Sequence, residues 1–132
     1  MTIVVGYIPR PEGLAAVDAA IVEAERRGER LVVVNTGHHG DNTDPSYAAP
    51  QDLDALDAQL TARGIDHEIR QPTRGRAPAD ELLDAADDVG ATLLVIGLRR
   101  RSPLGKLITG STAQQVLLDA SCDVLAVKAP TA

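Results

Sequence analysis

Apolar runs of strand length alternate along this chain with segments whose apolar residues recur every three or four positions. Residues Thr2 to Tyr7 (TIVVGY) read as a buried strand. Leu14, Val17, Ile21 and Ala24 then share one helical face. Arg26, Arg27 and Gly28 end that helix, with basic charge at the negative dipole end and a residue suited to a left-handed cap. Arg30 to Asn35 (RLVVVN) is a second strand, and Thr36 to Ala49 a long polar loop. Leu53, Leu56 and Leu60 define a second helix closed by Gly64, and Asp66 to Arg70 a polar strand suited to a sheet edge. Pro78 opens a third helix, with Asp80 and Glu81 at its positive end, Leu82, Ala86 and Val89 as its inner stripe, and Gly90 as its stop. Thr92 to Ile96 is a strongly apolar strand, followed by a glycine-bounded loop from Gly97 to Gly110. Ala113, Val116, Leu117 and Ala120 mark a fourth helix, and Asp123 to Lys128 (DVLAVK) a fifth strand. Such β-α alternation predicts an α/β fold, a mostly parallel sheet with helices on both faces, in one domain spanning residues 1–132.

Composition narrows the function classes. The 132 residues include two Tyr and neither Phe nor Trp, and the net charge is -6. Few aromatic rings and an acidic balance argue against nucleic acid, whose bases stack on rings and whose phosphates seek cations. Cys122 is the only cysteine, which excludes an internal disulfide and reads as a buried, inert thiol. The opening MTIVVGYIPRPEG has a short apolar run and no basic leader, so neither a signal peptide nor a membrane span is expected, and the cytoplasm is the expected location.

In a parallel sheet of this kind, ligands bind beyond the carboxyl ends of the strands. After the first strand, Gly6-Tyr-Ile8-Pro-Arg-Pro11 matches neither a dinucleotide turn nor a phosphate loop of the Walker kind, and it lacks the acidic end of a phospho-accepting receiver. The loop after the fourth strand is more informative. Gly110, Ser111 and Thr112 would present backbone amides and hydroxyls at a helix start, a ready anion site. Arg99, Arg100, Arg101 and Lys106 concentrate positive charge beside it, and Gly97 permits close backbone approach. The plainer alternative is a solvated loop with Ser111 capping a helix.

These residues resemble the universal stress protein family, whose nucleotide signature is glycine, two residues, glycine, nine residues, glycine, then serine or threonine. Gly97, Gly110 and Ser111 fall in that register, and RGRAPADELLDAADDVGATLLVIG and STAQQVLLDASCDVLAVK resemble the family's third helix with fourth strand and its closing helix with last strand. The resemblance implies a three-layer open sandwich of the adenine nucleotide alpha hydrolase-like kind. Its five-stranded parallel sheet would have order 3-2-1-4-5, with two helices on each face. It also implies an ATP or AMP site, with Mg2+ as a possible companion and no tightly bound metal. Ile96 and Gly97 would lie near ribose and phosphates, Gly110, Ser111 and Thr112 would hold the phosphates, Thr36 would meet adenine through its backbone, and Gly6 would line the floor. A homodimer through antiparallel pairing of Asp123 to Lys128 is implied as well. The chain departs from the pattern twice: Arg100 replaces the second glycine, and Ile8 stands where nucleotide-binding members usually carry an aspartate. The first adds charge near the phosphates, together with Arg99; the second removes a polar contact to the nucleoside.

Other candidates are weaker. His38 and His39, beside Asp41 and Asp44, lack the converging ligands of a metal site. His67 reads as an exposed strand residue, and Asp87, Asp88 and the second helix's carboxylates as solvated faces. Ser111 has no nearby histidine in sequence, so no catalytic residue is assigned and any ATP hydrolysis is expected to be slow. Three readings remain: a nucleotide-dependent regulatory module in stress response, a nucleotide-free stress protein acting by dimerisation and protein contacts, and a slow hydrolase.

Overall fold

The computed structural model of the chain describes residues 1–36, 47–72, 76–98 and 110–129. Among these residues nine elements alternate: β1 (Thr2–Tyr7), α1 (Pro11–Arg27), β2 (Arg30–Asn35), α2 (Pro50–Ala62), β3 (His67–Arg70), α3 (Pro78–Val89), β4 (Leu93–Leu98), α4 (Ser111–Asp119) and β5 (Asp123–Lys128). The strands form one parallel sheet of order β3-β2-β1-β4-β5, as the resemblance implied. Order reverses between β1, which pairs with β2 on one side, and β4 on the other. A crevice therefore opens where the chains leaving these two strands diverge to opposite sides.

Alternation along each strand divides the core in two. Ile3, Val5, Leu31, Val33 and Val95 pack beneath Val17, Ala20 and Ile21 of α1 and Leu56 and Leu60 of α2. Val4, Val32, Leu94 and Ile96 point the other way, beneath Leu82 and Ala86 of α3 and Ala113 and Val116 of α4. The small and β-branched residues suit this arrangement, because a strand covered on both faces needs continuous apolar side chains with little bulk. α1 and α3 end on Gly28 and Gly90 at φ 64 and 61, the left-handed region where a side chain would be strained. Among the described residues no helix is long and apolar enough to cross a membrane.

Several local expectations change. β4 runs two residues beyond Ile96, so Gly97 belongs to the strand and pairs with Val127. Leu14 and Leu117 were expected on inner faces but are 53% and 47% exposed. In α1 the inward face is centred on Gly13, Ala16, Val17 and Ala20, and Leu14 lies round the helix from it. Cys122 is only half-buried, against the second core, with its thiol pKa pushed up first by burial and then by Asp123 and Asp87. His67 is not an exposed strand residue. Its side chain is 12% exposed and bridges the Ile65 carbonyl at 2.8 Å and the Asp57 carboxylate of α2 at 2.6 Å. Asp87 and Asp88 are exposed, as expected, and each also has a partner: Asp88 pairs with Arg70 at 2.9 Å, and Asp87 accepts from the Ser121 hydroxyl at 3.1 Å.

Candidate functional site

Helix starts decide where an anion can sit, and here they are not equivalent. α1, α2 and α3 each begin with proline, at Pro11, Pro50 and Pro78, and each carries a carboxylate in its first turn: Glu12, Asp52, and Asp80 with Glu81. Proline removes an amide that an anion could use, and the carboxylate already offsets the positive dipole end. α4 differs on both counts. It begins with Ser111, has no acid in its first turn, and no side chain caps it among the described residues. Gly110 occupies the cap position at φ -65 and ψ 170, so Ser111 is not the cap its sequence position allowed. Space around Gly110 is open, with no atom of the described residues within 4 Å of where a Cβ would stand. A polar tether fixes the helix laterally: Gln115 donates to Asp80 of α3 at 3.0 Å.

Opposite α4 lie the ends of β1 and β2. Tyr7 is buried on the α1–α2 side, its hydroxyl pKa raised by burial and then by Asp52. Ile8, half-buried, leaves β1 in a tight turn in which the Arg10 N–H donates to the Ile8 carbonyl at 2.8 Å. Thr36, also half-buried, leaves β2 with its N–H donating to the Tyr7 carbonyl at 3.2 Å. Gly6 pairs with Val34, and a Cβ there would stand 3.1 Å from Leu82, so α3 covers that side of it. Ile96 is buried in the α3–α4 core. Gly97 has a structural reason for lacking a side chain: a Cβ would fall 2.0 Å from the Glu12 carbonyl, so the first turn of α1 occupies that space. Gly13 repeats the device, with its Cβ position 1.9 Å from the Ile8 carbonyl. Topology thus brings Gly6, Ile8, Thr36, Ile96, Gly97, Gly110, Ser111 and Thr112 to one end of the sheet. Arg99, Arg100, Arg101 and Lys106, like His38, His39, Asp41 and Asp44, lie outside the described residues.

Residues 1–128 match the model of the universal stress protein family. The chain belongs to that family. It is 45% identical over 126 residues to a universal stress protein of Mycolicibacterium smegmatis, covering 96% of each chain. Among solved structures it is similar to a universal stress protein from Archaeoglobus fulgidus, at 34% identity and TM-score 0.75, covering 97% of this chain and 98% of that one. It is also similar to a universal stress protein from Archaeoglobus fulgidus in complex with dAMP, at 28% identity, TM-score 0.69 and the same coverage.

A second concavity of about 630 Å³ lies along α3 and the β3 edge of this family member, lined by Val34, Arg70, Gln71, Glu81, Asp84 and Asp88 among others. Three carboxylates face it, and Arg70 already pairs with Glu68 and Asp88, so the groove opposes a phosphate. No group of three His, Cys, Asp or Glu among the described residues could hold a metal ion. Sequence reasoning missed two contributors to the crevice end, Asn35 and Gln71. A polar residue closing the otherwise apolar run LVVVN was the available signal for the first.

Proposed function

We propose that this universal stress protein is an adenine-nucleotide-binding regulatory module, taking ATP or AMP at the crevice between β1 and β4. The single observation carrying this reading is the start of α4: free of proline and of first-turn carboxylate, with no atom of the described residues within 4 Å of a Cβ at Gly110. Amides of Ser111, Thr112 and Ala113 point along the helix axis toward a bound phosphate, where partial positive charge and donors coincide. The related Archaeoglobus protein solved with dAMP, whose fold this chain shares, supports the same ligand class. Ile96 and Gly97 would then flank the ribose and phosphates, Thr36 the base, and Arg99 and Arg100 would add charge. Any Mg2+ would arrive with the nucleotide.

Binding, not turnover, is the proposed role. His67, the histidine among the described residues, sits at the start of β3 and is engaged with Asp57, away from the strand exits. Among the described residues no histidine is therefore placed to activate Ser111. The module would work in the cytoplasm as a homodimer joined along β5, whose outer edge has no strand beside it among the described residues. Calorimetric titration with ATP, AMP and GTP tests the reading. Adenine nucleotides should release heat at micromolar to millimolar ligand, and silence at millimolar concentration would refute it. Ile8, in place of the usual carboxylate, favours one alternative, a nucleotide-free protein acting through dimer contacts, which that silence would leave standing.

A further inference from the structure

α2 is anchored more lightly than α1 or α3. Only Leu56 and Leu60 of its 13 residues are buried, against seven residues of α1 and five of α3. Among the described residues, its polar ties to other elements lie at three points. Ahead of its first turn, Asn35, which donates to the Tyr7 carbonyl at 2.9 Å, accepts from the Ala48 N–H at 3.1 Å. Gln71 Nε2 donates to Asn35 Oδ1 at 3.0 Å and to the Ala48 carbonyl at 2.9 Å. Beyond the other end of α2, Arg63 pairs with Glu25 of α1 at 2.8 Å. Between these, Asp57 in the middle of the helix meets His67 Nε2 of β3 at 2.6 Å.

The His67 ring lies between two acceptors, the Ile65 carbonyl at Nδ1 and the Asp57 carboxylate at Nε2. A neutral imidazole carries one N–H, so it satisfies one acceptor and turns a lone pair toward the other; the cation donates to both. Surrounding charge favours the cation. Asp57 faces it from α2 and Asp66 precedes it, while Arg30 of β2 is occupied by Asp66 at 3.5 Å and Glu68 at 3.3 Å. The His67 pKa is raised, first by the Ile65 carbonyl, with Asp57 and Asp66 adding and burial opposing. We infer that the His67–Asp57 contact is a pH-operated latch on α2, closed while the ring is charged and released as it becomes neutral. With the folded-state value raised, the latch is closed below about pH 6.5 and opens as pH rises through that folded value. Release does not undock the helix, because Leu56 and Leu60 still hold it. It makes local opening more frequent, and opening uncovers those leucines with the apolar face formed by Leu31, Val33 and Ile69. A partner therefore meets a more apolar surface at alkaline than at acid pH. The inference stands on the α2–β3 contact and is independent of the nucleotide reading.

The test is amide hydrogen exchange across α2 in wild type, His67→Gln and Asp57→Asn. Each variant is compared with wild type at the same pH, because the chemical exchange rate itself changes with pH. In wild type, protection of α2 amides should be at least about tenfold lower than that of α1 amides, as local opening requires. At about pH 5.5 both variants should exchange α2 amides about three- to fivefold faster than wild type, the scale of one partly exposed charged contact. At about pH 8.5 that excess should fall to about twofold or less. Equal protection of α1 and α2 would mean that α2 opens only with the whole domain, and overturns the inference. So does a variant effect of the same size at both pH values, or none at the lower one. Asp57→Asn keeps the histidine and decides the case if His67→Gln does not fold.

Discussion

Gly97→Ala is the most demanding test of how the crevice is built. The added methyl would stand 2.0 Å from the Glu12 carbonyl oxygen, about 1 Å closer than real Cβ atoms approach any atom. The obstacle is backbone within the first turn of α1, so no side-chain rotation relieves it. Either α1 lifts from β4 or the strand bends. Forced overpacking costs about 1–3 kcal/mol, and an immovable backbone partner puts this case near the top of that range. Loss of unfolded-state freedom on replacing glycine offsets roughly 0.5–1 kcal/mol. The net is about 2 kcal/mol, which for a chain of this size lowers Tm by roughly 8 °C. Because α1's first turn also seats the Ile8 carbonyl against Gly13, displacement should carry the β1 exit with it and weaken AMP binding, although the methyl itself faces α1. Thermal unfolding followed by circular dichroism, with AMP calorimetry at a temperature where the variant is folded, reads both effects. A variant within 2 °C of wild type would refute the described seating of α1 on β4.

Other substitutions probe separate parts of the structure. Gly110→Val, at an ordinary φ but at the cap position, where valine is a poorer cap than glycine, should cost about 1 kcal/mol while reducing nucleotide affinity at least about tenfold by crowding the amides; unchanged affinity would mean the phosphates lie elsewhere. His67 has both ring nitrogens on acceptors, so the bridge from β3 to α2 requires the cation; its pKa is raised, first by the Ile65 carbonyl, with Asp57 and Asp66 adding. Its contribution should therefore be complete below about pH 6.5 and disappear as pH rises through the folded-state value. With Asp57 63% exposed, that contribution is about 1 kcal/mol, and the Tm gap between wild type and His67→Gln should narrow from pH 5.5 to 8.5; a gap independent of pH would refute the charged bridge. Sedimentation equilibrium should return twice the chain mass, whereas a monomer at tens of micromolar would remove β5 as a dimer seam. Phosphate release from ATP should be equally slow for wild type and Ser111→Ala; a large drop in the variant would reveal a catalytic role.

The fold was legible because its determinants are local and repetitive. TIVVGY, RLVVVN and TLLVI read as buried strands, and the intervening periodicities marked the helices. Strand order came from the family resemblance, since pattern alone does not say whether β4 returns beside β1 or beyond β3. At the crevice, the glycine and serine positions were readable, but the reason for Gly97 was not. Its constraint comes from Glu12, 85 residues earlier in the chain, and only the packed helix reveals it. Asn35 and Gln71 escaped for the same reason, because their meaning lies in hydrogen bonds across three strands. Leu14 misled because its spacing from Val17 and Ile21 suggested their face, whereas the buried stripe is centred on Gly13, Ala16, Val17 and Ala20 and leaves Leu14 outside it.

The sheet's middle strand is also the first to be synthesised, and this bears on how the protein reaches its native state. β1 acquires β2 early, but the residues that flank its other side, Leu93 to Val95, emerge some ninety positions later. Until then Ile3, Val4 and Val5 present an unsatisfied apolar ladder to whatever is nearby. A growing chain arrested before β4 should consequently be a client for ribosome-associated chaperones and prone to self-association, a vulnerability that ends only when the distal half arrives.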